Sequence, residues 1–222
     1  MRRVTRKKLK QDEFVSIVDQ IIQWLSDNWR PVVVGLGAVV VVFLLWWGLS
    51  SWTGHRRAAA SQMLATTVEK LDAAKTPEER QAAEEELRAL IEHYGRTPQG
   101  DEARVLLARL LIEDGKTDEA RTLLNAVAQR KENTAMVRVA TLDLIHLRVA
   151  SGQGAEVAQE LQAMVAGKDP RLPRDVALYE LAQVSREEGN LAQAREYFQK
   201  LVDDFPESPY AGQARQRLRE LG

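Results

Sequence analysis

Between Pro31 and Gly54 the chain carries no charged residue, and from Val32 to Leu49 it reads VVVGLGAVVVVFLLWWGL, apolar on every side. A helix needs about 20 such residues, at ~1.5 Å of rise each, to cross a bilayer. A buried core helix rarely stays apolar all round for so long. A cleavable signal has a shorter apolar region and a shorter basic leader than the 30 residues found here. The segment 31–54 is therefore predicted to be an uncleaved transmembrane helix. All five tryptophans lie in or beside it. Trp29, Trp46, Trp47 and Trp52 are the expected membrane-interface residues, because an indole favours the boundary between hydrocarbon and water.

The flanks set an orientation. Residues 1–30 hold seven Lys/Arg against four acids, whereas 55–74 hold three Lys/Arg. Basic flanks stay cytoplasmic, so the N-terminus is expected inside and the remainder across the membrane. Phe14, Ile17, Val18, Ile21, Ile22, Trp24, Leu25 and Trp29 recur at helical steps. The arm 1–30 is thus read as basic and amphipathic, suited either to the inner leaflet or to a partner's helix. Gly35, Gly37 and Ala38 would permit close helix packing, and with it homo-oligomerisation, although no GxxxG occurs.

Beyond residue 55 the composition shifts to Ala, Leu, Glu, Arg and Gln, which predicts an all-α domain over 55–222. Gly115, Gly152 and Gly189 recur at intervals of 37 residues. Before them stand Leu107-Ala108, Leu144-Ile145 and Leu181-Ala182. After them stand Ala120, Val157 and Ala194, then Leu124, Leu161 and Phe198, then Val127, Met164 and Leu201. Each unit reads as two antiparallel helices: a glycine with positive φ turns the chain, Ala lets the helices approach, and Leu or Phe fills the seam. One hairpin cannot bury its apolar face alone, so hairpins stack as a solenoid. Shifting back by 37, Ala83, Leu87 and Leu90 mark an earlier unit whose first helix continues from the apolar span. Asn125–Asn133 and Gly167–Arg174 are expected loops, and Ser208–Leu221 a capping helix. Glu84-Glu85-Glu86 and Asp203-Asp204 are expected on solvated faces.

The unit Leu178–Pro206 resembles the tetratricopeptide repeat, through Leu178, Leu181-Ala182, Gly189, Leu191, Ala194, Phe198 and Pro206. That resemblance implies a concave wall built from the first helix of each unit. Carried onto this chain, it selects Glu102, Val105 and Arg109, then Val139, Leu142 and His146, then Val176, Tyr179, Gln183 and Arg186. As a partner-binding groove for proteins or peptides, Glu102, Arg109, Leu142, His146, Tyr179, Gln183 and Arg186 are the candidates, with Tyr and Arg the expected anchors.

The sequence offers little chemistry. There is no Cys, only three His, and no GxSxG, HExxH, Walker or GxGxxG pattern. Asp143 and His146 sit one turn apart, but a catalytic pair also needs a nucleophile and an oxyanion site. A formal charge of −1 excludes nucleic-acid binding by bulk charge. No enzyme, cofactor or metal is expected.

The order of parts resembles the ancillary subunit of the bacterial SecYEG translocon, a single-span inner-membrane protein with periplasmic repeats. That implies a scaffold in a chaperone network near the export channel, meeting translocon subunits, periplasmic chaperones or exported chains. Residues 197–221 also resemble the tail of the Tol–Pal coordinator and of outer-membrane assembly lipoproteins, which implies the alternative of an envelope assembly or division coordinator acting through oligomerisation. The chain has no lipobox Cys and keeps a long leader, which favours the translocon-type reading.

Overall fold

The computed structural model describes residues 24, 29–132 and 134–221, without the side chains of residues 32, 48, 49, 51 and 52. Residues 1–23 and 25–28 of the expected arm, and the Trp52 side chain, lie outside the described residues. Among the described residues the secondary structure is helical throughout, as expected. Two compact units divide between Arg56 and Arg57.

In the first unit, helix α1 (Trp29–Ala73) begins with Arg30 beside the Trp29 ring, 5.7 Å from its centroid. Its 19 residues Trp29–Trp47 are long and apolar enough to cross a membrane. Their described side chains are exposed, Trp29, Trp46 and Trp47 included.

The second unit is a hairpin solenoid. From residue 57 on, α1 supplies the first helix of unit one, and α2 (Pro77–Tyr94) its second. The pairs α3 (Pro98–Glu113) with α4 (Thr117–Ala128), α5 (Ala135–Ala150) with α6 (Gly154–Val165), and α7 (Arg174–Glu187) with α8 (Leu191–Asp204) follow, capped by α9 (Ala211–Leu221). Two different devices start six of these helices. Thr76, Thr97 and Thr134 cap α2, α3 and α5, each accepting the N–H of the residue three ahead; Thr76 and Glu79 form a reciprocal capping box. Helices α4, α6 and α8 have no side-chain cap. They begin just past Gly115, Gly152 and Gly189, whose φ values of 76, 79 and 80° are the expected left-handed turns. At each, the N–H of the residue after the glycine reaches back into the preceding helix, as Lys116 does to Leu111 O at 2.8 Å.

The core follows the 37-residue grammar. Ala83, Leu87, Leu90, Ala120, Leu124, Val127, Val157, Leu161, Met164, Ala194, Phe198 and Leu201 are all at most 1% exposed. All but Ala83 fall into three successive clusters: α1 to α5, then Ile145 to Val184, then α7 to α9. First helices are sandwiched, so α7 buries Ala177 to Ala182 continuously. Second helices present one stripe, so α8 buries only Ala194, Phe198 and Leu201.

Several expectations change. Helix α4 runs to Ala128, so residues 125–128 of the expected Asn125–Asn133 loop are helical and residues 129–132 are not. Within the Gly167–Arg174 loop, Leu172 is 3% exposed and enters the second cluster. Leu191 starts α8 and stands 52% exposed instead of filling the seam. Glu84 is buried, not solvated: its carboxylate faces Arg80 and Arg88 one turn to either side. Glu86 is tied to Lys70 at 2.5 Å and to the Thr67 hydroxyl at 3.1 Å, a lysine–carboxylate bond that holds the Glu86 carboxyl below its usual range. Asp203 and Asp204 are exposed, as read.

Candidate functional site: the groove along the first helices

The first helices α1, α3, α5 and α7 of the four units line successive grooves. The α3–α5 groove, about 380 Å³, is bounded by Arg109, Ile112, Glu113, Asp143, His146 and Leu147. The α5–α7 groove, about 420 Å³, takes in His146, Val149, Tyr179, Glu180, Gln183 and Glu187. His146 and Ala150 border both, so the two are continuous. The α1–α3 groove is larger, about 760 Å³, and includes Glu102.

A ladder of polar links ties α3 to α5, α5 to α7 and α7 to α9. Arg109 Nε and Nη2 donate to the two oxygens of Asp143, at 2.9 and 3.3 Å. His146 Nε2 lies 3.0 Å from Glu180 Oε2. The Tyr179 hydroxyl donates to Gln213 Oε1 at 2.9 Å. Each pair is 34 residues apart, three fewer than the repeat, because each donor meets a partner just under one turn nearer the N-terminus of the next helix.

The candidate residues separate by exposure. Glu102, Arg109 and His146 are exposed, whereas Leu142, Gln183 and Arg186 are half-buried. Tyr179 is buried, 8% exposed, its ring against Phe198 at 5.8 Å and Tyr210 at 4.9 Å. Its position anchors α7 to α9 and leaves only an edge to the α5–α7 groove. Asp143 and His146 line one groove but do not pair, since Asp143 takes Arg109 and His146 takes Glu180. Among the described residues there is no cluster of His, Cys, Asp and Glu that could hold a metal ion.

Asp143 and Glu180 were not singled out as groove residues by the sequence, nor was the α1 wall. Moving the groove positions back by 37 residues gives Ala65, Val68 and Asp72, all of which line the α1–α3 groove. The register itself therefore held the signal.

The Glu180 hydrogen bond raises the His146 pKa against the opposing effect of burial, and the charges of Glu180, Asp143 and Glu187 add to it. Protonated His146 thus stabilises the α5–α7 link fully below the unfolded value, about 6.5, and this contribution is lost as pH rises through the folded value. The ring is 64% exposed, so the effect should stay below about 1 kcal/mol. Urea denaturation of the wild type should show greater stability at pH 5.5 than at pH 8 relative to His146→Gln. A pH-independent difference between the two proteins would contradict the link.

The family model described as tetratricopeptide repeat-like domain matches residues 23–169, and that described as tetratricopeptide repeat matches residues 176–208. A search of curated proteins gave no match. Among solved structures, the chain is similar to the nearly identical TPR-like repeats of a candidate kinesin light chain from Podosopora anserina, at 18% identity and a TM-score of 0.46. The likeness covers 68% of this chain and 87% of that one, and a substituted form of the same protein gives the same values. With two thirds of its length under one family model and its last hairpin under the other, the chain belongs to the tetratricopeptide repeat-like domain family.

Proposed function

We propose that this protein is a membrane-anchored scaffold whose repeat domain recruits other proteins beside an export channel on the far side of the membrane. Repeats of this family indicate protein–protein interaction. The observation that carries the finer reading is a single helix joining two unlike surfaces. From Trp29 to Trp47 its described side chains are exposed and, Arg30 apart, apolar, with tryptophans near both ends, and from Ser61 to Ala73 it walls a groove. In water that apolar run would be an aggregation hazard; in hydrocarbon it is a stable span. Six basic residues ahead of it and Arg30 at its start support an N-terminus on the cytoplasmic side of a bacterial inner membrane and repeats in the periplasm. The groove, continuous from α3 to α7 and mixing apolar with hydrogen-bonding groups, suits extended or helical segments of client chains, chaperones or translocon subunits.

Carbonate washing should leave the full chain in the membrane pellet, and a reporter fused after Gly222 and active only outside the cytosol should be active. Photocrosslinkers placed at Arg109 and Arg186 should capture envelope proteins or nascent exported chains. Extraction by carbonate would remove the anchor from the proposal. An absence of crosslinks at both positions would remove the scaffold.

A further inference from the structure

The α1–α3 groove breaks the pattern of the grooves that follow it. Its α1 wall is one helical face: Ser61, Leu64, Ala65, Val68, Glu69 and Asp72, at steps of three and four. Leu64 and Val68 form an apolar floor, 6% exposed and half-buried respectively. Around it stand the exposed carboxylates Glu69, Asp72 and Glu102, and no basic residue lines the groove. At the next two seams, Arg109 and His146 reach across to Asp143 and Glu180. The residue in register with Arg109 and His146, 37 positions earlier, is Asp72. The residue in register with their acceptors is Leu106. Donor has become acid and acceptor has become hydrocarbon, so the link that closes the next two seams has no counterpart here. Neither Glu69, Asp72 nor Glu102 makes an ion pair among the described residues. Gln99, also in the lining, has a buried Oε1 without a hydrogen-bond donor.

We infer that the α1–α3 groove binds an amphipathic segment of a partner protein that carries Lys or Arg beside apolar side chains. This rests on the reading of the first-helix face as a protein-binding surface and specifies the charge and place of its ligand. Leucine-like side chains would cover Leu64 and Val68, and cations would meet Glu69, Asp72 and Glu102. An acidic or purely apolar segment would leave three carboxylates facing either like charge or hydrocarbon, which disfavours both.

The test uses the full chain in nanodiscs of neutral phosphatidylcholine, with empty nanodiscs as blank. The probe is a short fluorescein-labelled amphipathic peptide of leucine and lysine, compared with a leucine–glutamate peptide of the same spacing. The lysine peptide should bind, more weakly as salt rises, and the glutamate peptide should not. The triple variant Glu69→Gln, Asp72→Asn, Glu102→Gln alters only exposed side chains. It should weaken lysine-peptide binding about tenfold at low salt, and a photocrosslinker at Ala65 should capture the peptide. Equal binding of both peptides, or an unaffected triple variant, overturns the inference. Crosslinking at His146 with none at Ala65 also overturns it while the broader groove reading stands; crosslinking at neither position overturns both.

Discussion

Phe198→Ala should release the C-terminal end of the solenoid. The ring has no solvent exposure and is among the largest fully buried side chains. It meets Tyr179 edge-on at 5.8 Å and shares its cluster with Leu178, Ala182, Leu201, Ala211 and Ala214, so it joins α7, α8 and α9. Truncating a buried phenylalanine removes its transfer free energy and leaves a void, together about 3–5 kcal/mol. A stack of hairpins is stabilised mainly between neighbours, so the loss falls on the last unit. Limited trypsin digestion should cut first within α8 and α9, while fragments ending near Arg174 persist, and urea denaturation should gain an early phase. Leu191→Ala, on the same helix but 52% exposed, should change stability by about 0.5 kcal/mol or less. Equal effects of the two substitutions would contradict the assigned packing.

Gly100→Ala should also be strongly destabilising, opposite in sign to what helix propensity predicts. In a helix, alanine is preferred over glycine by about 1 kcal/mol. Gly100 lies in the first turn of α3, where its N–H donates to the Thr97 hydroxyl at 3.2 Å. A Cβ there would stand 2.7 Å from the Gly95 Cα and closer still to the Tyr94 carbonyl oxygen. Both are backbone, in a turn held by Arg104 and Arg130, each of which donates to the Gly95 carbonyl and to Asp101. The α2–α3 corner cannot yield without breaking this network. The expected loss is about 3 kcal/mol, as for other overpacked sites, read as a lower urea midpoint by circular dichroism. A gain in stability would show the corner to be open.

These two positions mark what the sequence makes legible. Phe198 stands in a recurring phase with Leu124 and Leu161, so its burial follows from the repeat. The positive φ of Gly115, Gly152 and Gly189 follows from the same period. Gly100 belongs to no period; its necessity comes from the backbone of a neighbouring turn. Leu172 was hidden by the prolines around it: Pro170 and Pro173 stop the helix correctly, yet the loop between them still folds a leucine inward. Glu84 looked solvated within a run of three acids because its flanking arginines, one turn away on either side, cover it only once the helix forms. In the groove, Arg109, His146 and Gln183 share the phase of the first helices and line the α3–α5 and α5–α7 cavities. Tyr179 shared that phase but was drawn inward by Tyr210, whose aromatic ring arrives from beyond the last repeat.

The two ways of starting helices have a further consequence. The left-handed turns at Gly115, Gly152 and Gly189 each close within their own hairpin, whereas Thr97 and Thr134 sit at junctions between hairpins. Cutting and rejoining the gene at the threonine corners would therefore transfer whole hairpins, each with its internal bend intact. Lineages can lengthen or shorten such a protein by recombination at Thr97 or Thr134, changing the reach of the domain while every retained bend keeps its geometry.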